Sequence, residues 1–369
     1  MAPAHPLVHI IGTGLIGTSI GLALSRAGWE VTLEDASRTT AALARDLGAG
    51  RLPTAGDVPG VVVVATPPDV TAAVVTMALR RWPDAAVTDV ASVKGVIAHE
   101  LAALGADLAH YCGSHPMAGR ERAGSVSGRY DLFDGRAWVL VPTTATLPET
   151  VAAVRELATE TGAAVNVLDP VAHDAAVAAI SHVPQILASL VAARLTNLPD
   201  SALALAGQGL RDVTRIAASD PGLWTQILSG NADAVREVLL SLADDLDAVI
   251  SALGALACDP VDPVSADAPG ARGVLAQTIA AGNAGHARIP GKHGAAPTAY
   301  ATIRVLVPDR PGQLGRLFAD VGEVGTNIEE FRLGHGLGAA FGVGEIDVVP
   351  AAAAHLSEGL TARGWRIHD

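Results

Sequence analysis

The sequence predicts a doubly wound α/β domain on a parallel sheet, then an all-helical domain, then a small α+β unit. Three observations support this prediction. Short β-branched runs alternate with helical patterns over residues 1–170, Ala- and Leu-rich helical stretches occupy 171–256, and a strand pattern returns after residue 298. We therefore place the domains at 1–170, 171–297 (with a linker at its end) and 298–369.

The composition fits packed domains and excludes several kinds of partner. Of the 369 residues 50% are hydrophobic and 17% charged, and a chain of this length needs more than one core. The formal net charge of −13 repels a phosphate backbone, so we expect no nucleic-acid partner. No signal-peptide pattern or uninterrupted membrane span is present, so we expect a cytoplasmic protein. Cys112 and Cys258 lie far apart, and we expect neither a disulfide nor a metal site.

Six apolar runs in the first domain predict strands. They are Leu7–Ile11, Glu30–Asp35, Val61–Ala65, Ala86–Val90, Ala137–Val141 and Ala164–Leu168. Helical patterns lie between several of them, at Ser19–Arg26, Val70–Arg81, Val96–Leu104 and Glu149–Thr161. Strands that alternate with helices in this way form parallel sheets covered on both faces.

The later domains have different patterns. Apolar helices at Ile186–Leu195 and Val235–Leu253 exceed what one helical domain needs for its own core, so we expect a homodimer interface there. The pattern of the last unit predicts a strand at Thr302–Val307, a turn at Asp309–Gly312 and a helix at Gln313–Val324. Two further strands are predicted at Asn327–Arg332 and Ala339–Val348.

A glycine-rich turn follows the first strand and opens the first helix. It has the GxGxxG spacing of a turn that binds a dinucleotide pyrophosphate, and its predicted cofactor contacts are Gly12, Gly14, Leu15, Ile16 and Gly17. Asp35 ends the second strand, where a carboxylate accepts a hydrogen bond from a ribose 2′-hydroxyl and repels a 2′-phosphate. We therefore expect a Rossmann-type domain that binds NAD. NADP is the alternative, if Arg38 covers a phosphate.

Polar residues follow the next strands at the same predicted edge. Thr66 follows the third strand and borders the cofactor, or forms a structural turn. Ser92 follows the fourth strand and could hydrogen-bond a catalytic group or the nicotinamide, whereas Lys94 could meet a carboxylate or be solvated. His115 and Glu121 lie in what we predict to be a Gly-rich loop with little apolar context, where an imidazole can accept a proton near neutral pH.

Two polar segments stand out in the helical domain. Ser181 and Gln185 occur where this domain opens, and Ser181 could equally be a helix N-cap. Arg211, Asp212 and Arg215 concentrate charge in a charge-poor region. They could bind an anionic substrate through a bidentate Arg contact or form a buried ion pair.

Together these segments resemble the bacterial TyrA family of prephenate and arogenate dehydrogenases. The matching motifs are GTGLIGTSIG at Gly12–Gly21, DVASVKG at Asp89–Gly95, GSHPMAGRE at Gly113–Glu121, ISHVPQ at Ile180–Gln185 and GLRDVTRIAASDPGLW at Gly209–Trp224. They occur in family order across two domains. The resemblance implies NAD-dependent oxidative decarboxylation of a cyclohexadienol in tyrosine biosynthesis.

The resemblance also implies roles for particular residues. His115 takes the proton of the ring C4 hydroxyl, and Ser92 orients His115 or the substrate. Arg215 holds a substrate carboxylate, Ser181 lies near the substrate, and Glu121 governs polar access to the pocket.

Gln185 departs from the family pattern. Many members that use prephenate carry a His at this position, close to the substrate side chain. A neutral amide could tolerate the amino group of arogenate better than an imidazole. We favour prephenate, converted to 4-hydroxyphenylpyruvate, and keep arogenate as the alternative substrate.

The last unit resembles an ACT domain, a small βαββαβ module that often binds amino acids. The resemblance rests on Asp309–Leu314 and on Thr326–Ile328. It implies feedback by tyrosine or another aromatic amino acid at a site lined by Gly312 and Asn327. The alternative is a purely structural dimerisation module.

Two other functions fit the fold class less well. A β-hydroxyacid dehydrogenase would use a Lys of its helical domain as the acid, and residues 171–256 contain no Lys. A non-catalytic amino-acid sensor on the same scaffold would be expected to lack Ser92, His115 or Arg215, and all three are present.

Overall fold

The computed structural model describes residues 5–119, 124–257, 268–290, 300–335 and 340–368. The chain forms two compact units, divided between Asp247 and Ala248. The division into three domains, with boundaries after residues 170 and 297, stays a prediction.

The first unit contains a four-stranded parallel sheet. Its strands are β1 (Val8–Ile11), β2 (Val31–Glu34), β3 (Val61–Val64) and β4 (Ala86–Asp89), in the order β2-β1-β3-β4. Every neighbouring pair is parallel. These strands are rich in β-branched residues, which favour extended backbone, and their side chains are buried on both faces of the sheet. Because the strands are parallel, the loops that follow them all lie at one edge.

Helices cover both faces of this sheet. They are α1 (Leu15–Arg26), α2 (Arg38–Asp46), α3 (Pro68–Arg81), α4 (Gly95–Ala103) and α5 (Pro148–Glu160). Alternate residues of β3 enter different cores: Val61 and Val63 pack with α1, whereas Val62 and Val64 pack with α3 and α4. The predicted doubly wound fold is therefore confirmed, although the sequence pattern missed α2.

A second, three-stranded sheet adjoins the first. Its strands are β5 (Cys112–Pro116), β6 (Ala137–Pro142) and β7 (Ala164–Val167), and β6 is antiparallel to β5 and parallel to β7. The prediction of a loop for residues 113–121 is wrong in its first part, because residues 113–116 belong to β5. The run CGSHP has no apolar alternation, and its pairing with a distant strand makes it extended. A parallel bridge from Tyr111 to Val87 aligns β5 with β4.

Helices dominate the rest of the first unit, and the last two cross or follow the division. They are α6 (Pro170–Val177), α7 (Val183–Arg194), α8 (Asp200–Leu203), α9 (Gln208–Thr214), α10 (Pro221–Gly230), α11 (Ala232–Ala257) and α12 (Ala268–His286). A π-helical turn, Ala178–His182, joins α6 to α7. This confirms the predicted helical domain.

The second unit ends in an α+β fold. It comprises β8 (Ala301–Pro308), α13 (Gln313–Val324), β9 (Glu330–His335), β10 (Phe341–Val348), α14 (Pro350–Ala362) and β11 (Arg366–His368). The strands form an antiparallel sheet in the order β11-β8-β10-β9, over a core with both helices. The βαββαβ order is the one that the ACT resemblance implies, and the bounds of α13 are those predicted.

The three glycines of the turn after β1 meet different surroundings. A Cβ on Gly17 would lie 1.9 Å from the carbonyl oxygen of Gly12, and a Cβ on Gly12, whose φ is +99°, would lie 2.3 Å from that of Ala65. A Cβ on Gly14 would meet no atom within 4 Å. Gly12 and Gly17 are therefore required by the chain's own packing, whereas Gly14 borders open space.

This difference predicts opposite effects of two alanine substitutions on stability. Gly17→Ala should lower the free energy of unfolding by about 1–3 kcal/mol, because the methyl group meets backbone that cannot move aside cheaply. Gly14→Ala is the matched control and should have the same melting temperature as the wild type. Thermal unfolding followed by circular dichroism measures both, and equal melting temperatures for all three proteins would contradict the packing argument.

Candidate active site

Four loops meet at the carboxyl edge of the parallel sheet. They carry Gly12 and Gly14 after β1, Asp35 after β2, Thr66 after β3 and Ser92 after β4. In doubly wound folds this edge binds the ligand, because the loops diverge there and helix N-termini point at it.

Asp35 ties the end of β2 to the glycine turn. Its Oδ2 accepts hydrogen bonds from the Thr13 amide (2.7 Å) and the Thr13 hydroxyl (3.0 Å), and its Oδ1 accepts one from the Ser37 amide at 2.8 Å. A carboxylate has about four lone-pair positions, so Asp35 retains capacity for a further donor such as a ribose hydroxyl. The predicted partners Leu15 and Ile16 begin α1 and pack partly against the core.

Thr66 forms a polar turn beside this site. Its hydroxyl lies 3.1 Å from that of Thr71, which also donates to the carbonyl oxygens of Thr66 and Pro67. The turn fixes the loop between β3 and α3 against the glycine turn, where Gly12 approaches Ala65.

His115 lies near the end of β5 and is only 7% exposed. Its Nδ1 is 2.9 Å from Nε2 of His173, and Nδ1 of His173 is 2.8 Å from Oδ1 of Asp174. The Asp174 carboxylate also accepts hydrogen bonds from the amides of Lys94 (3.0 Å) and Gly95 (2.7 Å) at the start of α4. Two residues of α6 therefore connect His115 to the N-terminus of α4.

Burial sets the protonation of this group. It lowers the pKa of His115 well below the usual 6.5, and the positive charge of Lys94 acts in the same direction. Burial opposes ionisation of Asp174, but hydrogen bonds from His173 and from the Gly95 and Lys94 amides lower its pKa overall. At neutral pH, His115 is a neutral imidazole and Asp174 a carboxylate.

A buried ion pair supports the loop after β4. Lys94 Nζ contacts Asp89 Oδ1, and the Tyr111 hydroxyl donates to Asp89 Oδ2 at 2.7 Å. Burial lowers the pKa of Lys94, and Asp89 opposes that effect. Of the two alternatives for Lys94, the structure shows the contact with a carboxylate, which belongs to the protein.

Ser92 lies half-buried in that same loop. Its hydroxyl makes no hydrogen bond to any residue that the structure describes, and the protein partner of His115 is His173. Sequence reasoning missed His173 and Asp174. The sequence feature that could have indicated them is that His173 and Asp174 are adjacent titratable residues in the first helix of a domain otherwise poor in charge.

The helical segment contributes the remaining predicted residues. Ser181 lies half-buried in the π-helical turn, and Gln185 lies buried in the first turn of α7 between the hydroxyls of Ser189 and Ser219, each at 3.4 Å. Arg215 begins a short 3₁₀ turn and is exposed. Glu121 lies outside the described residues.

His182 lies next to Ser181 and is almost fully buried. Its Nδ1 is 3.1 Å from the amide nitrogen of Asn231, which also donates to the Asp174 carbonyl oxygen at 2.8 Å. Burial lowers the pKa of His182 to about 4. This imidazole is therefore a neutral packing group, and Asn231, between α10 and α11, connects it to Asp174 of α6.

Two family models match adjoining segments of the chain. The model described as prephenate dehydrogenase, nucleotide-binding domain, matches residues 20–167, and that described as prephenate dehydrogenase, dimerization domain, matches residues 169–259. The glycine turn lies just before the first match, so its assignment depends on its own geometry.

Individual proteins are similar over most of the chain. The Streptomyces niveus protein named probable prephenate dehydrogenase NovF is 38% identical over 358 residues, which cover 96% of this chain and 98% of that protein. The solved arogenate dehydrogenase of Synechocystis is 26% identical with a TM-score of 0.61, over 75% of this chain and 99% of that one. The prephenate dehydrogenase of A. aeolicus, solved with hydroxyphenyl propionate and NAD+, has a TM-score of 0.64 at 23% identity over 78% of this chain and 100% of that one. This last likeness concerns the fold.

The buried histidines predict that acid destabilises the folded state. Burial lowers the pKa of His9 and His115, and that of His182 to about 4, whereas histidines of the unfolded chain titrate near 6.5. As the pH falls from about 6.5 to about 4, the unfolded state binds more protons, so the free energy of unfolding decreases. Urea denaturation across that range measures it. His182→Gln should make the dependence shallower, and a free energy of unfolding that does not change with pH would contradict the prediction.

Proposed function

The chain belongs to the prephenate dehydrogenase family, and we propose that it catalyses the NAD-dependent oxidative decarboxylation of prephenate to 4-hydroxyphenylpyruvate. The observation that carries this proposal is the neutral, buried imidazole of His115 beside the carboxyl edge of a nucleotide-binding sheet. A general base placed there can act on a substrate that lies next to the cofactor.

The residues of the glycine turn fit a dinucleotide. Gly14 borders open space, so a pyrophosphate can approach the backbone at the start of α1, and Asp35 keeps a free acceptor for a ribose hydroxyl. Asp35 also repels a 2′-phosphate, which supports NAD over NADP. When bound, NAD supplies the acceptor for the hydride that leaves ring C4.

The chain's own residues hold the substrate and move one proton. His115 takes the proton of the C4 hydroxyl as the C4–H bond breaks, and returns it to that oxygen when loss of CO₂ makes the ring aromatic. Arg215 binds a substrate carboxylate, for which an Arg is well suited. Ser181 lies near the substrate, and Glu121 governs polar access. Ser92 has a hydroxyl without a described partner, which leaves it available to orient the substrate or His115.

Arogenate dehydrogenase is the second candidate, and Gln185 is the observation that favours it. This buried amide lies where many prephenate-using relatives carry an imidazole, between two serine hydroxyls rather than charged groups. A neutral site of this kind accepts either a keto or an amino group on the substrate side chain. The substrate's ring chemistry is the same in both cases.

Assembly and regulation form part of the proposal. Leu187, Leu190 and Val191 on α7 are exposed and apolar, and α7 lies in the segment that matches the dimerization-domain model. The run Pro170–Asn197 is long and apolar enough to cross a membrane by length and composition alone, yet it carries Asp174, hydrogen-bonded within the protein. We infer a cytoplasmic homodimer.

The ACT-like unit is the candidate sensor of aromatic amino acids, at a site lined by Gly312 and Asn327.

A comparison of substrates and cofactors tests the function. The rate of cofactor reduction is followed by the absorbance of the reduced nicotinamide, at about 340 nm. It should be fast with prephenate and NAD, slower with arogenate, and slower again with NADP as cofactor. Added tyrosine should lower the rate if the ACT-like unit regulates. Faster turnover of arogenate would select the second candidate, and a protein inactive on both substrates with both cofactors would sink the proposal.

Replacing His115 tests its role as the base. His115→Asn keeps a polar side chain of similar width but cannot accept the proton, so kcat should fall about 10²–10⁴-fold. The affinity for NAD should stay within about threefold, because His115 lies outside the glycine turn. Stopped-flow turnover and fluorescence titration with NAD measure the two, and unchanged kcat would remove His115 from the mechanism.

A further inference from the structure

A row of hydrogen bonds leads from His115 into the protein. It passes from His115 Nδ1 to His173 Nε2 (2.9 Å), and from His173 Nδ1 to Asp174 Oδ1 (2.8 Å). His173 is fully buried, and the other two residues are less than a tenth exposed. Water therefore does not compete for these bonds.

The carboxylate determines the direction of every bond in this row. A carboxylate only accepts, so the proton of its bond with His173 lies on His173 Nδ1. A neutral imidazole carries one N–H, which leaves His173 Nε2 as an acceptor. His115 Nδ1 must then donate, and His115 Nε2 is the unprotonated nitrogen.

We propose that His173 and Asp174 are positioning residues that hold His115 as the Nδ1–H tautomer and stabilise the charge it gains when Nε2 accepts the substrate's proton. This inference rests on the proposed function. The hydroxyl O–H bond breaks and the Nε2–H bond forms, and the hydride leaves C4 for NAD. Positive charge on His115 is shared through the Nδ1 proton with His173, next to the Asp174 carboxylate. The proton returns to the substrate oxygen when CO₂ departs, so the row ends as it began.

The surroundings of His115 make such support necessary. Burial and the nearby positive charge of Lys94 both disfavour an imidazolium there. Asp89 does not offset them, because its carboxylate is paired with Lys94. Within the described part of the chain, Asp174 is the carboxylate that is connected to His115, and the connection passes through His173. In serine proteases a buried Asp bonds the catalytic His directly, whereas here His173 lies between the two.

A purely structural role for the row is the competing explanation, since Asp174 also accepts the Lys94 and Gly95 amides. Substitutions of His173 leave those bonds in place. His173→Gln retains an acceptor oxygen for His115 Nδ1 but cannot share a proton. His173→Leu removes the acceptor as well, at similar volume.

We expect kcat to fall about 10-fold in His173→Gln and about 10²-fold or more in His173→Leu, with KM for prephenate and affinity for NAD within about threefold of wild type. The pH dependence of kcat/KM should also change, because the charge on His115 loses its stabilisation. His182→Gln is the matched control. It removes a neighbouring buried histidine that is hydrogen-bonded to Asn231 and not to His115, and should keep the wild-type kcat.

A measurement without substrate separates this inference from the proposed function. In ¹⁵N-histidine-labelled protein, assigned with the His115→Asn variant, His115 should carry its proton on Nδ1 in the wild type and lose that preference in His173→Leu. A proton on Nε2 in the wild type, or a kcat for His173→Leu within about twofold of wild type, would overturn the proposal. Failure of the wild type to oxidise prephenate or arogenate would overturn the proposed function alone, because the tautomer is still observed.

Discussion

The carboxylate of Asp174 is the constraint on which the rest of the site depends. It accepts from two amides at the start of α4, some 80 residues earlier in the chain, and from His173 on its own helix. A buried charge that loses one of its partners costs about 3–5 kcal/mol, so these bonds hold α6 against the nucleotide-binding domain. Even Gly95 reflects this contact, since a Cβ there would lie 2.8 Å from Asp174 Oδ2. Ser181 and Gln185 follow α6 directly and inherit their positions from it.

A second buried pair determines which charges remain available inside. Asp89 and Lys94 neutralise one another beneath the loop that carries Ser92, and Tyr111 satisfies the remaining carboxylate oxygen. Among the residues that the structure describes near His115, the carboxylate of Asp174 is therefore the one without a cationic partner. A chain of net charge −13 repels an anionic substrate, so binding one requires a local cation. Arg215, which is exposed, is the residue that we propose for this role.

Local patterns allowed much of this fold to be predicted from the sequence. Strands β1–β4 are short runs rich in β-branched residues, and α13 has a full helical period between two glycines, Gly312 and Gly325. The sequence could not indicate β5, because CGSHP is extended only through pairing with β6. The contact of His115 with His173 joins residues 58 apart, and neither neighbourhood contains a pattern that points to the other. Candidate residues could therefore be named from motifs, whereas the partners that control their protonation required the three-dimensional structure.

In the proposed mechanism, hydride transfer and proton transfer place opposing demands on His115. A hydride acceptor must be shielded from water, which favours a buried site. Burial, however, makes an imidazole a weaker base, and a base works best when its pKa lies near the working pH. A fixed carboxylate two hydrogen bonds away satisfies both demands, because its attraction grows only as charge develops on His115. Before the reaction, the Asp174 carboxylate leaves the His115 imidazole neutral. The proton then lies on Nδ1, so the lone pair of Nε2 is free to accept the substrate's proton. The same burial that weakens the base also strengthens its interaction with Asp174, since the local dielectric is low.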